Sequence, residues 1–390
     1  MKIIHLSDTH LGYREFHRID PETGINQREQ DVYNAFQAAV SQILDEGPDL
    51  VIHAGDLFDN VRPNNRAINQ ATAQFGRLAE AGIPTVVIAG NHDTPKISST
   101  GTVLQSLDQL PNINAVTSDE TSEGGYRRIP VGDMLVHAVA DAPTEDELEE
   151  RLESLQPDPE YRWNVVVIHA GIRRTDQAPF SGEFNEHHLS LRELDNKHWD
   201  YVALGHYHKR MKMDLPSGTI AHYPGATERY SFNETNYSPG FLKVEFSESG
   251  IHPQEKLLDT RTFVKLDPID CRDLTAAEIE RTIEDKLPKK EIMENGLLSL
   301  TLTEIDANTY SVLEENLLEQ LRELAFETKF QIYGPEEEEL DEESMVFSDL
   351  RAEFSNFMLE RAKVDRELDR QKLIELGQRY LGEALGEEDG

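Results

Sequence analysis

Lys2-Ile3-Ile4-His5-Leu6-Ser7-Asp8-Thr9-His10 opens the chain as an apolar run that breaks abruptly into polar residues. The run is too short for a buried helix and stops at a Ser-Asp-Thr loop signal, so Lys2–Ser7 is read as a buried strand. Asp8 and His10, two positions apart just beyond it, can reach one cation from a tight turn. The same order of apolar run then polar donors recurs four times. Leu50–Ala54 leads into Gly55-Asp56, and Thr85–Ala89 into Gly90-Asn91-His92-Asp93. Asn164–His169 ends on His169, and Tyr201–Leu204 runs into Gly205-His206-Tyr207-His208. One more strand is expected at Met134–Ala138. Helical patterns alternate with these strands and have legible starts. Asn26 with Glu29 forms a capping-box pattern ahead of a helix to about Glu46, and Thr144 with Glu147 repeats it. Alternation of this kind predicts an α/β fold, with the polar motifs at the C-terminal ends of strands, where open α/β sheets bind ligands.

Carboxylate, imidazole and amide donors in this mixture suit two borderline-hard divalent ions. Asp8, His10, Asp56 and His208 make one expected site, and Asp56, Asn91, His169 and His206 the other. Asp56 is the natural bridge, a carboxylate that offsets part of the repulsion between two cations. Ions about 3.5–4 Å apart lower the pKa of a shared water and clamp phosphate oxygens, so the chemistry indicated is cleavage of a phosphate ester. His92 follows a ligand but cannot easily face the same ion; it is assigned to the leaving oxygen or the transition state. Asp93 is expected to fix the local backbone or orient a ligand. An isolated Asp-x-His is commonly chance; five motifs in this order, each after a strand, are not. His5, His53 and His137 lie inside strands and are expected to be structural.

Composition sets the surroundings. A chain of 390 residues has room for two or three domains, and no apolar stretch approaches a membrane span, so a soluble, cytoplasmic protein is expected. Cys271 is the only cysteine, which excludes a disulfide framework and a thiolate metal site. The net charge of −36, from 38 basic and 74 acidic residues, is opposite to what phosphate binding favours. The acidity is spread over nearly every helix and loop, as on a surface adapted to a cytoplasm near molar salt. There the Debye length falls to roughly 3 Å, and acidity no longer excludes a nucleic-acid substrate.

After Gly205 the pattern turns to β, with runs at Ile220–Tyr223, Phe241–Phe246 and Gln254–Leu258. Strand Thr262–Leu266, a helix capped by Thr275 and Glu278, strand Leu297–Leu302, helix Tyr310–Leu324 and strand Lys329–Ile332 predict a small α+β domain over 260–333. An acidic linker follows at 334–343. Beyond it, Phe347, Leu350, Phe354, Phe357 and Met358, then Val364, Leu368, Leu376, Tyr380 and Leu381, form two amphipathic helical stripes over 344–390. Short helices behind a linker bury their apolar faces poorly alone, so they are read as a docking element for a partner protein.

With these residues in place, the chain resembles the calcineurin-like metallophosphoesterase superfamily, and within it the Mre-eleven/SbcD nucleases of DNA double-strand-break repair. The superfamily motifs fit phosphatases and phosphodiesterases equally. The closer resemblance rests on His5-Leu6-Ser7-Asp8-Thr9-His10-Leu11-Gly12, the Tyr13–Arg18 insertion with His17, Ala54-Gly55-Asp56-Leu57-Phe58-Asp59, and Tyr223-Pro224-Gly225-Ala226-Thr227-Glu228-Arg229. It implies a β-sandwich flanked by helices over 1–259, with 260–333 capping the active site and contacting DNA. It also implies manganese dependence, 3'-5' exonuclease action on duplex ends, and endonuclease action on single strands or hairpins. A Rad-fifty/SbcC-type ATPase would bind the terminal helices, and a homodimer would form through nuclease-domain helices, with Ile68, Val103, Leu104 and Leu107 as candidate contacts. The expected setting is the nucleoid of a halophilic archaeal-type cell. Asp59 stands where eukaryotic-type sequences carry histidine and SbcD-type sequences aspartate, so no histidine role carries over there. Tyr13, Arg14, His17, Arg62 and Arg229, with Arg18, are candidate DNA contacts. Two alternatives remain: a phosphomonoesterase or phosphodiesterase of the same superfamily, and a DNA-end tethering scaffold with secondary nuclease activity.

Overall fold

Apolar residues run continuously along the central strands, so each strand serves two packing layers. In β7 (Trp163–His169), Val165 and Val167 face one hydrophobic cluster while Val166 and Ile168 face another. The computed structural model describes residues 1–335, apart from residue 22 and residues 96–100, 119–124, 174–186, 191–193 and 196–198. The expected linker, beyond residue 335, and the terminal helical pair lie outside the described residues.

Two six-stranded sheets are present among those residues. The first contains β1 (Lys2–Leu6), β2 (Leu50–His53), β3 (Thr85–Ile88) and β4 (Ile113–Val116), all parallel. Antiparallel β13 (Gly240–Ser247) pairs with β1 and is followed outward by β14 (Gly250–Leu257). The second sheet has β6 (Met134–Val139), β7, β10 (Tyr201–Gly205) and β12 (Ile220–Tyr223) in parallel. It is closed at its edges by antiparallel β5 (Tyr126–Val131) and β11 (Met211–Asp214). A small parallel pair, β8 (Gly171–Arg173) and β9 (His188–Ser190), lies beyond β7.

Val136, Ala138, Val165, Val167, Tyr201 and Ala203 of the second sheet share one core with Ile3, Val51 and Val86 of the first, which makes a sandwich. The outer face of the first sheet is covered by α1 (Gln27–Glu46) and α2 (Asn65–Glu80), through Phe36, Val40, Ala71 and Phe75. The outer face of the second sheet meets Leu148 and Leu152 of α3 (Glu145–Ser154). Each fully buried Val, Leu or Phe contributes about 1.5–3 kcal/mol, so both faces of both sheets are strongly specified. Registers matter for the same reason: a one-residue slip would exchange the two layers.

Local signals act as expected, with exceptions. Asn26 accepts from Arg28 N–H and Glu29 N–H at 3.0 and 3.2 Å, but Glu29 turns away to Arg14, Tyr33 and Asn64. Thr275 and Glu278 complete a reciprocal box at the start of α4 (Ala276–Lys286). The single helix expected over Tyr310–Leu324 begins earlier, at Ala307 beyond the Asp306 cap, and passes through a π turn at Glu314–Leu318. Leu104 and Leu107 belong to a 3-10 turn and are spent in the chain's own core, which removes them as dimer contacts; Val103 and Ile68 are half-buried.

Residues 263–332 build their own sheet: β17 (Leu297–Thr303) at the centre, with β15 (Phe263–Lys265) and β16 (Ile269–Asp270) on one side and β18 (Glu327–Ile332) on the other. Ile279, Ile283, Leu298, Leu300, Leu313 and Leu321 form its core. Met1–Tyr333 forms one compact unit. No helix among the described residues is long and apolar enough to cross a membrane.

Candidate metal centre

The ends of β1, β2 and β3 in one sheet and of β7 and β10 in the other bring the five motifs together. Asp8, His10, Asp56 and His206 all hold positive φ, at 52°, 41°, 54° and 109°. Left-handed backbone at non-glycine residues costs about 1–3 kcal/mol each and persists where the surroundings enforce it. The glycines ahead of the donors have a simple cause. A Cβ on Gly90 would overlap the Asp56 carboxylate, and one on Gly205 would overlap the Ala54 carbonyl and crowd the His169 ring. The strand ends therefore approach closely enough for donors from both sheets to meet.

On one side, Asp8, His10 and His208 converge, with His10 Nε2 and His208 Nε2 3.1 Å apart. Glu234 accepts from His208 Nδ1 at 2.9 Å, which fixes the tautomer and turns Nε2 toward His10. On the other side, Asp8, Asp56 and His169 converge. His169 Nδ1 donates to the Ala54 carbonyl at 2.8 Å, so Nε2 faces Asn91 Oδ1 at 3.0 Å and Asp56 Oδ2 at 3.1 Å. Asp56 Oδ2 also lies 3.9 Å from His10 Nε2, between the two groups, where a bridging carboxylate belongs. His206 stands edge-on to His169 with ring centroids 5.4 Å apart, and its N–H donates to Asp8 Oδ1 at 3.1 Å.

Burial and charge give the site its electrostatics. Burial raises the Asp8 carboxyl above its ordinary value, against the pull of His169 and His208. Burial also opposes the charge on Asp56, but His169, His92 and His10 prevail and hold it well below the usual carboxylate range. Burial works against a charged His169, yet the neighbouring Asp56 carboxylate pushes it up to about 10. Asp56 Oδ2 is buried, with the Nε2 atoms of His169 and His10 facing it at 3.1 and 3.9 Å. A buried carboxylate oxygen facing imidazole nitrogens from two sides fits a divalent cation, and the oxygen and nitrogen donors suit a first-row ion or Mg²⁺.

His92 lies at the edge of this cluster, its ring 4.7 Å from that of His10. Its N–H donates to Asp56 Oδ1 at 2.9 Å and its Nδ1 donates to the Asp59 carbonyl at 2.7 Å, so Nε2 is the nitrogen that can exchange a proton with substrate. Asp93 accepts from the N–H groups of Leu57, Phe58 and Gly90 at 3.0, 3.0 and 3.2 Å, tying the β2 and β3 loops together. Asp59 Oδ1 comes within 3.8 Å of His10 Nδ1, and His10, Asp59 and His92 form a third close group.

His5, His53 and His137 are not among the converging donors. His5 bonds Tyr201 and the Leu204 carbonyl, His53 bonds Thr9, and His137 bonds Tyr126 and Asn164. Four of the candidate DNA contacts are occupied internally. Tyr13 O–H donates to the Tyr230 carbonyl at 2.6 Å, and Arg14 pairs with buried Glu29 at 2.8 Å. Arg229 donates to Tyr237, Thr260 and Arg261. Arg18 lies over the Phe326 ring at 4.3 Å. His17 and Arg62 are exposed. Glu234 was not singled out from the sequence, because nothing local separates it from the chain's other acidic residues. Only the fold brings it 26 residues back to His208.

This donor set, at converging strand ends of a two-sheet sandwich, is that of a metallophosphoesterase. A family model described as calcineurin-like phosphoesterase matches residues 1–210, just over half of the chain, and the chain belongs to that family. Within it, the similarity runs to proteins named DNA double-strand break repair protein Mre11. The relative from Sulfurisphaera tokodaii is 32% identical over 229 residues, 58% of this chain and 54% of its own length. Those from Methanocaldococcus jannaschii and Methanococcus maripaludis are 28% and 26% identical over 73% and 89% of this chain, and 70% and 87% of their own lengths. Among solved structures, a dimetal phosphatase from Danio rerio aligns at 11% identity with a TM-score of 0.41, over 66% of this chain and 96% of its own.

Proposed function

We propose that the chain is a DNA double-strand-break repair nuclease that hydrolyses phosphodiesters with two divalent ions, manganese being the favoured one. The observation that carries dimetal hydrolysis is the convergence of Asp8, His10, Asp56, Asn91, His169, His206 and His208 from five strand ends around one buried centre; the similarity to proteins named for DNA double-strand break repair supports DNA as the substrate. Asp8, His10, Asp56 and His208 would hold one ion, and Asp56, Asn91, His169 and His206 the other. When bound, such a pair supplies a water of lowered pKa and charge neutralisation at the phosphate oxygens. His92, its Nδ1 proton held by the Asp59 carbonyl, serves the leaving oxygen through Nε2.

Exonuclease action 3'-5' on duplex ends and endonuclease action on single strands or hairpins follow from the resemblance. So do the homodimer, the capping role of 260–333, and a Rad-fifty/SbcC-type ATPase docked on 344–390 across the 334–343 linker. His17 and Arg62 are the exposed residues we assign to phosphate contact. The charge of −36 supports a cytoplasm of high salt, with the protein at the nucleoid.

The test is cleavage of linear duplex and hairpin DNA in molar potassium chloride, with manganese against magnesium, with and without the ATPase. A phosphomonoester serves as the competing substrate. His92→Ala should retain manganese and lose cleavage. Metal-loaded protein that leaves DNA intact but hydrolyses the monoester would establish the phosphatase alternative. Repair proficiency of cells carrying His92→Ala would favour the tethering scaffold.

A further inference from the structure

The turn between the metal centre and the 263–332 sheet touches both. Ser231 opens a 3-10 turn, Phe232–Glu234, whose residues alternate in allegiance. A 3-10 helix has three residues per turn, so residues two apart point to different sides. Phe232 points into an aromatic seam, its ring 5.1 Å from Phe263 of β15 and 6.5 Å from Phe16, with buried Leu297 of β17 beside it. Asn233 accepts from Lys265 of the same strand at 3.1 Å. Glu234 points the other way and is itself buried. One carboxylate oxygen accepts from His208 Nδ1 at 2.9 Å and the other from Tyr230 N–H at 2.7 Å. The seam is clamped at its far side by Arg261, which grips both Asp31 oxygens of α1 at 2.7 and 2.8 Å and lies 3.5 Å over the Phe326 ring.

We propose that this turn is a relay. The seat of the 263–332 sheet fixes Phe232, Phe232 fixes Glu234, and Glu234 sets the angle at which His208 presents Nε2 to its ion. Glu234 is a positioning residue, acting through His208. A single turn braced by a buried ring on one side and two hydrogen bonds on the other cannot absorb a shift of the sheet without passing it on. The consequence is that displacing the 263–332 sheet, by substrate or by a partner, changes the affinity of one ion and leaves the other alone. This deepens the proposed dimetal reading and rests on it.

The test is manganese titration of the full chain by calorimetry, with electron paramagnetic resonance to separate the spin-coupled pair from an isolated ion. Wild type should bind two ions and show the coupled signal; failure there would sink the dimetal reading itself, before the relay is reached. Glu234→Ala should weaken one ion about 10- to 100-fold and convert the coupled signal to that of a single ion, with Glu234→Gln partly restoring it. Phe232→Ala should do the same in kind although it touches no ligand, and Phe232→Leu should rescue. Phe263→Leu and Lys265→Ala, both on β15, guard against a Phe232 variant that does not fold. Loss in the Glu234 variants with unchanged binding in the folded Phe232 and β15 variants would overturn the relay. Unchanged binding in Glu234→Ala would overturn it as well.

Discussion

Ion binding should displace a proton from His169, and the size of the effect follows from the site. The imidazolium is pushed up to about 10 by the Asp56 carboxylate, so at pH 7.5 the ring is protonated. A cation can take Nε2 only when that proton leaves. The sign is therefore fixed: affinity is lowest in acid and rises with pH until the ring deprotonates near 10. The cost at pH 7.5 is about 2.5 pH units, or about 3 kcal/mol, equivalent to roughly 300-fold in apparent affinity. Each unit of pH between 7 and 9 should return about tenfold. Calorimetry with manganese in buffers of different ionisation enthalpy measures the proton count directly. About one proton released per pair of ions over that range is expected from His169, and the slope should vanish in His169→Gln. A pH-independent affinity in the wild type, with no proton exchanged with buffer, would refute this account of the Asp56–His169 pair.

Three further outcomes are expected. His5 is fully buried and burial holds its pKa down to about 3 from an ordinary 6.5, so its stabilising contribution is complete above 6.5 and lost as pH falls toward 3. Between pH 7 and 5 this amounts to about 2 kcal/mol, and urea unfolding of wild type against His5→Gln should show that difference in slope. Gly205→Ala should lower stability by about 1–3 kcal/mol in thermal unfolding and weaken ion binding together, because the new methyl meets Ala54 and His169 at once. Asp93→Ala strands three backbone N–H groups and should cost about 3 kcal/mol or more by chemical denaturation, with loss of ion affinity; an effect below about 1 kcal/mol would argue against its role as the tie between the loops.

The strands that carry the donors were legible because their cause is local. Leu50–His53 and Thr85–Ile88 are continuous apolar runs, buried on both faces, and they stop where Gly-Asp and Gly-Asn begin. Helix starts at Asn26, Thr144 and Thr275 were legible because a cap is a contact between neighbours. The roles of Tyr13 and Arg229 were not, since whether an aromatic or an arginine faces solvent depends on what folds over it. The π turn at Glu314–Leu318 has no local marker either, since no side-chain cap sets it apart from the helix around it.

Donor identity and order along the chain, and the resulting capacity for a metal pair, were determined by the sequence itself, since each motif is a few residues at a strand end. Which donors face one another was decided by tertiary structure. The 3.1 Å approach of His10 to His208 joins residues 198 apart, and the Glu234 contact that orients His208 depends on a turn wedged against a separate sheet. Short-range chemistry writes the ligands into the chain, but coordination geometry is a long-range property, set by how two sheets pack and where their strand ends meet.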